Sequence, residues 1–144
     1  RTIIGNVLTG PPPDDWHARL DLVGGGPLLH DGTHLFDIMR FFTGDALWVS
    51  GDLEGLDRSD VEDRGIGMIR FRNGAAAFLE GGGRRGYFNF EVDLQGTHGR
   101  ILVGNESWAR WGVEPSPRYS GFRELLPMEF PLPAGPWNAP VAVL

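Results

Sequence analysis

Residues 24–42 read GGGPLLHDGTHLFDIMRFF, and this stretch decides how the chain is organised. Leu35, Ile38, Met39 and Phe42 recur at the i, i+3, i+4, i+7 spacing of a helix that lays one stripe on a core. The spacing predicts a helix from about Thr33 to Thr43, with Asp31 or Thr33 as N-cap and Gly44 as the C-terminal stop. His30, His34 and Asp37 fall on a different stripe, so ionisable groups gather near the helix N-terminus. Three glycines lead into it. A backbone without side chains, beside groups that transfer protons, suits a small polar substrate.

On either side of this helix the pattern turns to strands. Residues 2–8 (TIIGNVL) read as a first strand. Pro11, Pro12 and Pro13 then force a surface loop, with a helical turn expected near Trp16 to Leu20. After Gly44, residues 46–54 read as a strand. Residues 65–72 and 75–82 flank Asn73-Gly74, a dipeptide suited to positive φ in a two-residue hairpin turn. Residues 86–95 alternate: Phe88, Phe90, Val92 and Leu94 face one way, and Tyr87, Asn89, Glu91, Asp93 and Gln95 the other. HGRILVGN follows, then weaker strand patterns at 106–113 and 123–130 and an irregular tail, PLPAGPWNAPVAVL. The fold class expected is α+β: one main helix packed on one face of a mostly antiparallel, open-faced sheet of about six strands. One helix does not cover such a sheet on both faces. The apolar run 75–79 (AAAFL) implies that the second face is partly buried by another subunit or domain; the polar positions of 87–95 favour a solvated face instead.

Composition narrows the function classes. The chain has 144 residues, fit for a single domain, and a formal net charge of -6. Nucleic-acid binding needs clustered positive charge, and Arg84-Arg85 is the sole adjacent basic pair. No apolar run reaches the roughly 20 residues of a membrane helix. With no Cys there are no disulfides, thiolate metal sites or Cys nucleophiles, a usage that fits the cytoplasm. No Lys is present, so a lysine acid or Schiff base cannot come from these residues. The first residue is Arg, which points to N-terminal processing or to a piece of a longer chain.

His34 is the leading proton-transfer candidate, against a plain role in hydrogen bonding at the helix start. Asp37 reads as a structural partner of Arg40 or Arg64. His30 and His34, at i and i+4, also have metal-ligand spacing with Asp37 as a third ligand, a spacing common by chance, and no metal is assigned. Gly25 and Gly26 permit close backbone approach to a ligand or, equally, tight packing against the helix. Arg84 and Arg85 can bind a carboxylate or phosphate on a substrate, or serve in a solvated turn or an inter-subunit ion pair. Trp48 is expected in the core, Trp108 and Trp111 at an interface, and His17 and His98 in loops.

The ordered set resembles the GFO/IDH/MocA oxidoreductases, over most of the chain. Gly24, Gly25, Gly26, Leu28, Leu29, Gly32, His34 and Asp37 match a family segment that precedes its substrate helix. VEDRGIGMIRFRNGAAAFLEGG and YFNFEVDLQGTHGRILV resemble two later hairpins of the family. The resemblance implies a single C-terminal substrate-binding and oligomerisation domain over residues 1–144, like that of glyceraldehyde-3-phosphate dehydrogenase. It also implies an N-terminal Rossmann domain, absent from this chain, that binds NAD or NADP and supplies a catalytic Lys. No strand here leads into G-x-G-x-x-G and a helix, so no cofactor-binding residue is assigned.

The site implied is catalytic His34 with His30 and Asp31, and substrate-binding Gly25, Gly26, Thr33, Arg84 and Arg85. His30 stands where the family carries Asp, with an acid one place later at Asp31. The function expected is a NAD(P)-dependent oxidoreductase of a sugar, polyol or related hydroxyl compound, the fragment alone being inactive. Its partners are a small-molecule substrate and a second copy of the chain through the sheet, with no nucleic acid or membrane. A non-catalytic assembly module and a glycosidase that uses bound NAD are the alternatives.

Overall fold

The structure is a computed structural model that describes residues 1–11, 15–55, 60–105 and 107–129. Eight strands form one sheet: β1 (Thr2–Leu8), β2 (Ala46–Glu54), β3 (Arg64–Phe71), β4 (Ala76–Gly82), β5 (Asn89–Gln95), β6 (Gly99–Gly104), β7 (Ser107–Pro115) and β8 (Arg123–Met128). Their order is β2-β3-β4-β1-β5-β6-β7-β8. The class is α+β, as expected, but the sheet has eight strands rather than about six. The weak patterns at β7 and β8 do form strands and extend the edge. The sheet is also mixed, because β1 and β4 run parallel. Between β1 and β4 the chain crosses the helical layer and makes two further strands, a path long enough for a parallel return.

Three short helical segments and one long one lie between β1 and β2. A 3-10 turn spans Trp16–Ala18, α1 spans Leu20–Val23, α2 spans Pro27–His30 and α3 spans Gly32–Thr43. Gly44 ends α3 with φ +80, its N–H reaching the Arg40 carbonyl. Asp31 takes the N-cap position but makes no side-chain cap bond; the Thr33 hydroxyl instead donates to the His30 carbonyl at 2.8 Å.

Side-chain alternation decides which face the helices cover. Ile3 and Val7 of β1 point the same way as Ala77 and Leu79 of β4 and Val92 of β5, and all are buried. Leu35 and Met39 of α3 complete this core. The helix seats on Gly5: a Cβ there would lie 2.6 Å from Leu35 Cδ1 and from Met39 Cε. Likewise Leu28 of α2 seats on Gly65 and Gly81, where a Cβ would come 2.5 and 2.7 Å from its methyls.

Several expectations change here. Phe42 is 53% exposed rather than packed beneath the helix, and Trp48 is 41% exposed rather than in the core. Phe42 lies past the surface that α3 covers, and Trp48, opposite Arg70 of β3, is on the sheet face away from the helices. The β3–β4 connection is a three-residue loop: Arg70 faces Ala76, the Phe71 N–H bonds the Ala75 carbonyl, and Gly74 has φ +86. The Asn73 side chain accepts from the Ala75 N–H, which fixes that turn. The strand expected at 86–95 begins only at Asn89. The tail after residue 129 and Trp137 lie outside the described residues.

Candidate functional site

The site forms where β1 ends beside the glycine turn. Gly24, at φ +84, closes α1 through its N–H to the Leu20 carbonyl. Gly26 then begins α2, with Pro27 in the first-turn position that needs no N–H. The Glu62 carboxylate accepts from the Gly26 N–H at 2.6 Å and from the Leu29 N–H at 3.3 Å, so it caps α2 from a distant part of the chain. A side chain at Gly26 would collide with the Glu62 carbonyl oxygen. Gly26 thus packs tightly, as one reading of the glycines expects, and it also lines a cavity.

That cavity has a volume of about 220 Å³. Thr9, Gly10 and Pro11 form one wall; Gly26, Pro27, His30 and Asp31 form another. His17 closes it. His17 Nδ1 lies 2.7 Å from Asp15 Oδ1, and the His17 backbone N–H donates to the same oxygen at 2.8 Å. Chiefly that backbone donor, and then the ring, hold the Asp15 carboxyl below the usual carboxylate range. Trp16 stacks on the His17 ring with centroids 3.7 Å apart. The His17 and His30 rings face each other edge-on at 6.4 Å and 62°.

The sequence-derived candidates divide into three places. His30, Asp31 and Gly26 line the cavity. Thr33 and His34 are exposed and lie outside its wall; the His34 N–H bonds the Asp31 carbonyl at 3.2 Å. Gly25 is buried against Leu29. Arg84 and Arg85 sit behind the cavity. Arg84 pairs with buried Asp63 at 3.3 Å and Arg85 with Glu80 at 3.0 Å, while the Arg85 N–H donates to the Thr9 carbonyl at 2.7 Å. Arg40 pairs with Asp45, and Arg64 with Glu80 and Glu54, so neither is the Asp37 partner expected. Among the described residues no group of three His, Asp or Glu is placed to hold a metal. Sequence reasoning missed His17, Thr9 and Gly10. Only the Asp15-x-His17 spacing hinted at a local carboxylate–imidazole pair.

Two imidazoles, a carboxylate, a hydroxyl and glycine backbone line this open recess, together with Pro11 and Pro27. Neither glycine triplet stands in the context of a dinucleotide-binding turn. Gly24–Gly26 joins one helix to another, and Gly81–Gly83 runs from β4 into the Arg84 turn, so neither links a strand to a phosphate-binding helix. No helix is long and apolar enough to cross a membrane among the described residues.

Comparison with known proteins agrees with this architecture. The family described as GFO/IDH/MocA C-terminal domain matches residues 2–102. The chain is similar to levoglucosan dehydrogenase of Pseudarthrobacter phenanthrenivorans, 29% identical, over 65% of this chain and 31% of that protein. It superimposes on a NAD binding oxidoreductase from Klebsiella pneumoniae with a TM-score of 0.74, 18% identity, and coverage of 88% of this chain and 39% of that one. A levoglucosan dehydrogenase in complex with NADH and levoglucosan gives 0.68, 24% identity, and coverage of 90% and 39%. These last two likenesses concern the fold. The chain thus spans about a third of the curated relative's length.

Proposed function

The chain belongs to the GFO/IDH/MocA C-terminal domain family, and on that premise we propose that it supplies the substrate side of a NAD(P)-dependent oxidoreductase of a sugar, polyol or related hydroxyl compound. The observation that carries this reading is the 220 Å³ cavity, in which Gly26, His30 and Asp31 of the family segment meet the end of β1. Its size suits a monosaccharide-like ligand; drug-sized sites run to about 300–1,000 Å³. The similarity to levoglucosan dehydrogenase supports the same substrate class.

In this reading His30 and Asp31 bind substrate hydroxyls, and His34, exposed and outside the cavity wall, is kept as the proton-transfer group on the family resemblance. Gly26 lets the backbone approach the ligand. Arg84 and Arg85 are engaged by Asp63 and Glu80, so they hold the Thr9 wall from behind. The cofactor, NAD or NADP, is held by a dinucleotide-binding domain of the parent protein rather than by this chain, and it supplies the redox chemistry.

Two measurements test this. NADH titrated into the 144-residue chain should give no saturable fluorescence change; tight, saturable binding overturns the division of labour. The protein encoded together with its upstream sequence should reduce NAD or NADP in the presence of a sugar or polyol. There, replacing His30 with Ala should lower kcat/KM by about tenfold with little change in Tm. A parent protein inactive towards all such hydroxyl compounds refutes the assignment.

A second reading has its own observation. On the face away from the helices Met68 and Phe78 lie opposite each other, and Phe78 lies opposite Ile4. Ile4 is 44% exposed and Phe78 47%. An uncovered apolar stripe at the centre of a sheet suits a second copy of the chain, and catalysis and assembly would then use opposite faces.

A further inference from the structure

The cavity holds an imidazole that the family segment does not contribute. His17 comes from the loop between β1 and α1, yet three contacts fix its position. Asp15 binds both its ring and its backbone N–H, Trp16 stacks on the ring, and the Asp60 N–H bonds the Ala18 carbonyl at 3.0 Å just beyond it. An ionised carboxylate only accepts hydrogen bonds, so the proton of the 2.7 Å contact sits on His17 Nδ1. In its neutral form the ring keeps Nε2 as an acceptor.

We propose that His17, oriented by Asp15, is a substrate-binding residue: it and His30 together hold one hydroxyl of a sugar or polyol in the cavity. This rests on the reading of the cavity as the substrate site. The ring centroids, 6.4 Å apart, are too far for a direct bond between the imidazoles. One oxygen hydrogen-bonded to a nitrogen of each ring spans up to about 5.6 Å between those nitrogens, a reach compatible with rings whose centroids lie 6.4 Å apart. The carboxylate that position 30 lacks enters the site at one remove, through the Asp15–His17 pair.

Imidazole ¹⁵N and ¹H signals of the 144-residue chain provide the test, with levoglucosan and L-sorbose as probes to millimolar concentration. The signals of His17 and His30 should move along one saturation curve, and free His17 should show the Nδ1–H tautomer. Asp15→Asn should disturb that tautomer and weaken binding about tenfold, and His17→Gln should weaken it similarly, with the backbone spectrum and Tm preserved. Movement of His30 without His17, or unchanged affinity in both variants, overturns this inference and leaves the function intact. No response at His17, His30 or His34 to either sugar overturns the cavity reading and this inference with it. If a variant loses its folded spectrum, the direct response of His17 in the unaltered chain decides.

Discussion

Gly26 and Gly74 show two different demands on a single residue. Gly26 has an ordinary extended backbone, φ -94, but the Glu62 carbonyl fills the space a Cβ would need. Gly74 has open space around it and φ +86, a conformation costly to any other residue. Gly26→Ala should therefore cost about 1–3 kcal/mol through overpacking and also abolish the levoglucosan response, because it displaces the cavity wall. Gly74→Ala should cost about 1–2 kcal/mol through backbone strain and leave that response intact. Urea unfolding with a parallel sugar titration separates the two; equal loss of binding in both would contradict the placement of Gly26. At this scale the sequence was readable where a motif was local. His30, Asp31 and Gly26 stood out because they share one glycine-led segment. His17 did not, since only the folded chain brings the Asp15–Ala18 turn against α2. Nor did the Glu62 cap, whose carboxylate reaches Gly26 from 36 positions away.

The α3 helix shows how far periodicity carries. Its 3.6-residue repeat identified Leu35 and Met39, both fully buried over Gly5. It also pointed to Phe42, which is exposed, because a repeat gives the direction of a face and not the width of the surface beneath it. Leu35→Ala or Met39→Ala should lose about 2–5 kcal/mol of stability. Phe41→Gln, at a position 81% exposed, should change it by no more than about 0.5 kcal/mol. Chemical denaturation checks both, and a large loss at Phe41 would show that the helix is rolled from the orientation described. The limits of β2, Ala46 and Glu54, were legible in the sequence, whereas the stretch 86–95 read from alternation begins only at Asn89. The pairing of β1 with β4 was not legible. Thr2 faces Ala76 across a parallel ladder that no local turn specifies.

At the scale of the whole molecule, one 12-residue helix lies over the middle of an eight-stranded sheet, and much apolar surface stays uncovered. On the helix side a groove of about 640 Å³ runs between Phe41, Phe42, Phe88 and Phe90. On the other side, Met68, Phe78 and Ile4 form a stripe that exposed Ile66 extends and charged residues flank. Arg64 bridges Glu54 and Glu80 on one flank. On the other, Asp93 is 6% exposed and held by Arg100 at 2.7 Å, with Arg100 itself stacked over Trp111. An apolar centre with a satisfied polar rim is the anatomy of a protein interface. Self-association should therefore use the open face. Phe78→Arg places a charge at the centre of the stripe and should convert the associated chain to monomers in sedimentation velocity, with Tm little changed. Phe41→Arg, on the helix side, should leave the sedimentation coefficient as it was. A chain that is already monomeric at high concentration refutes self-association outright, and dissociation by Phe41→Arg alone would move the interface to the helix side.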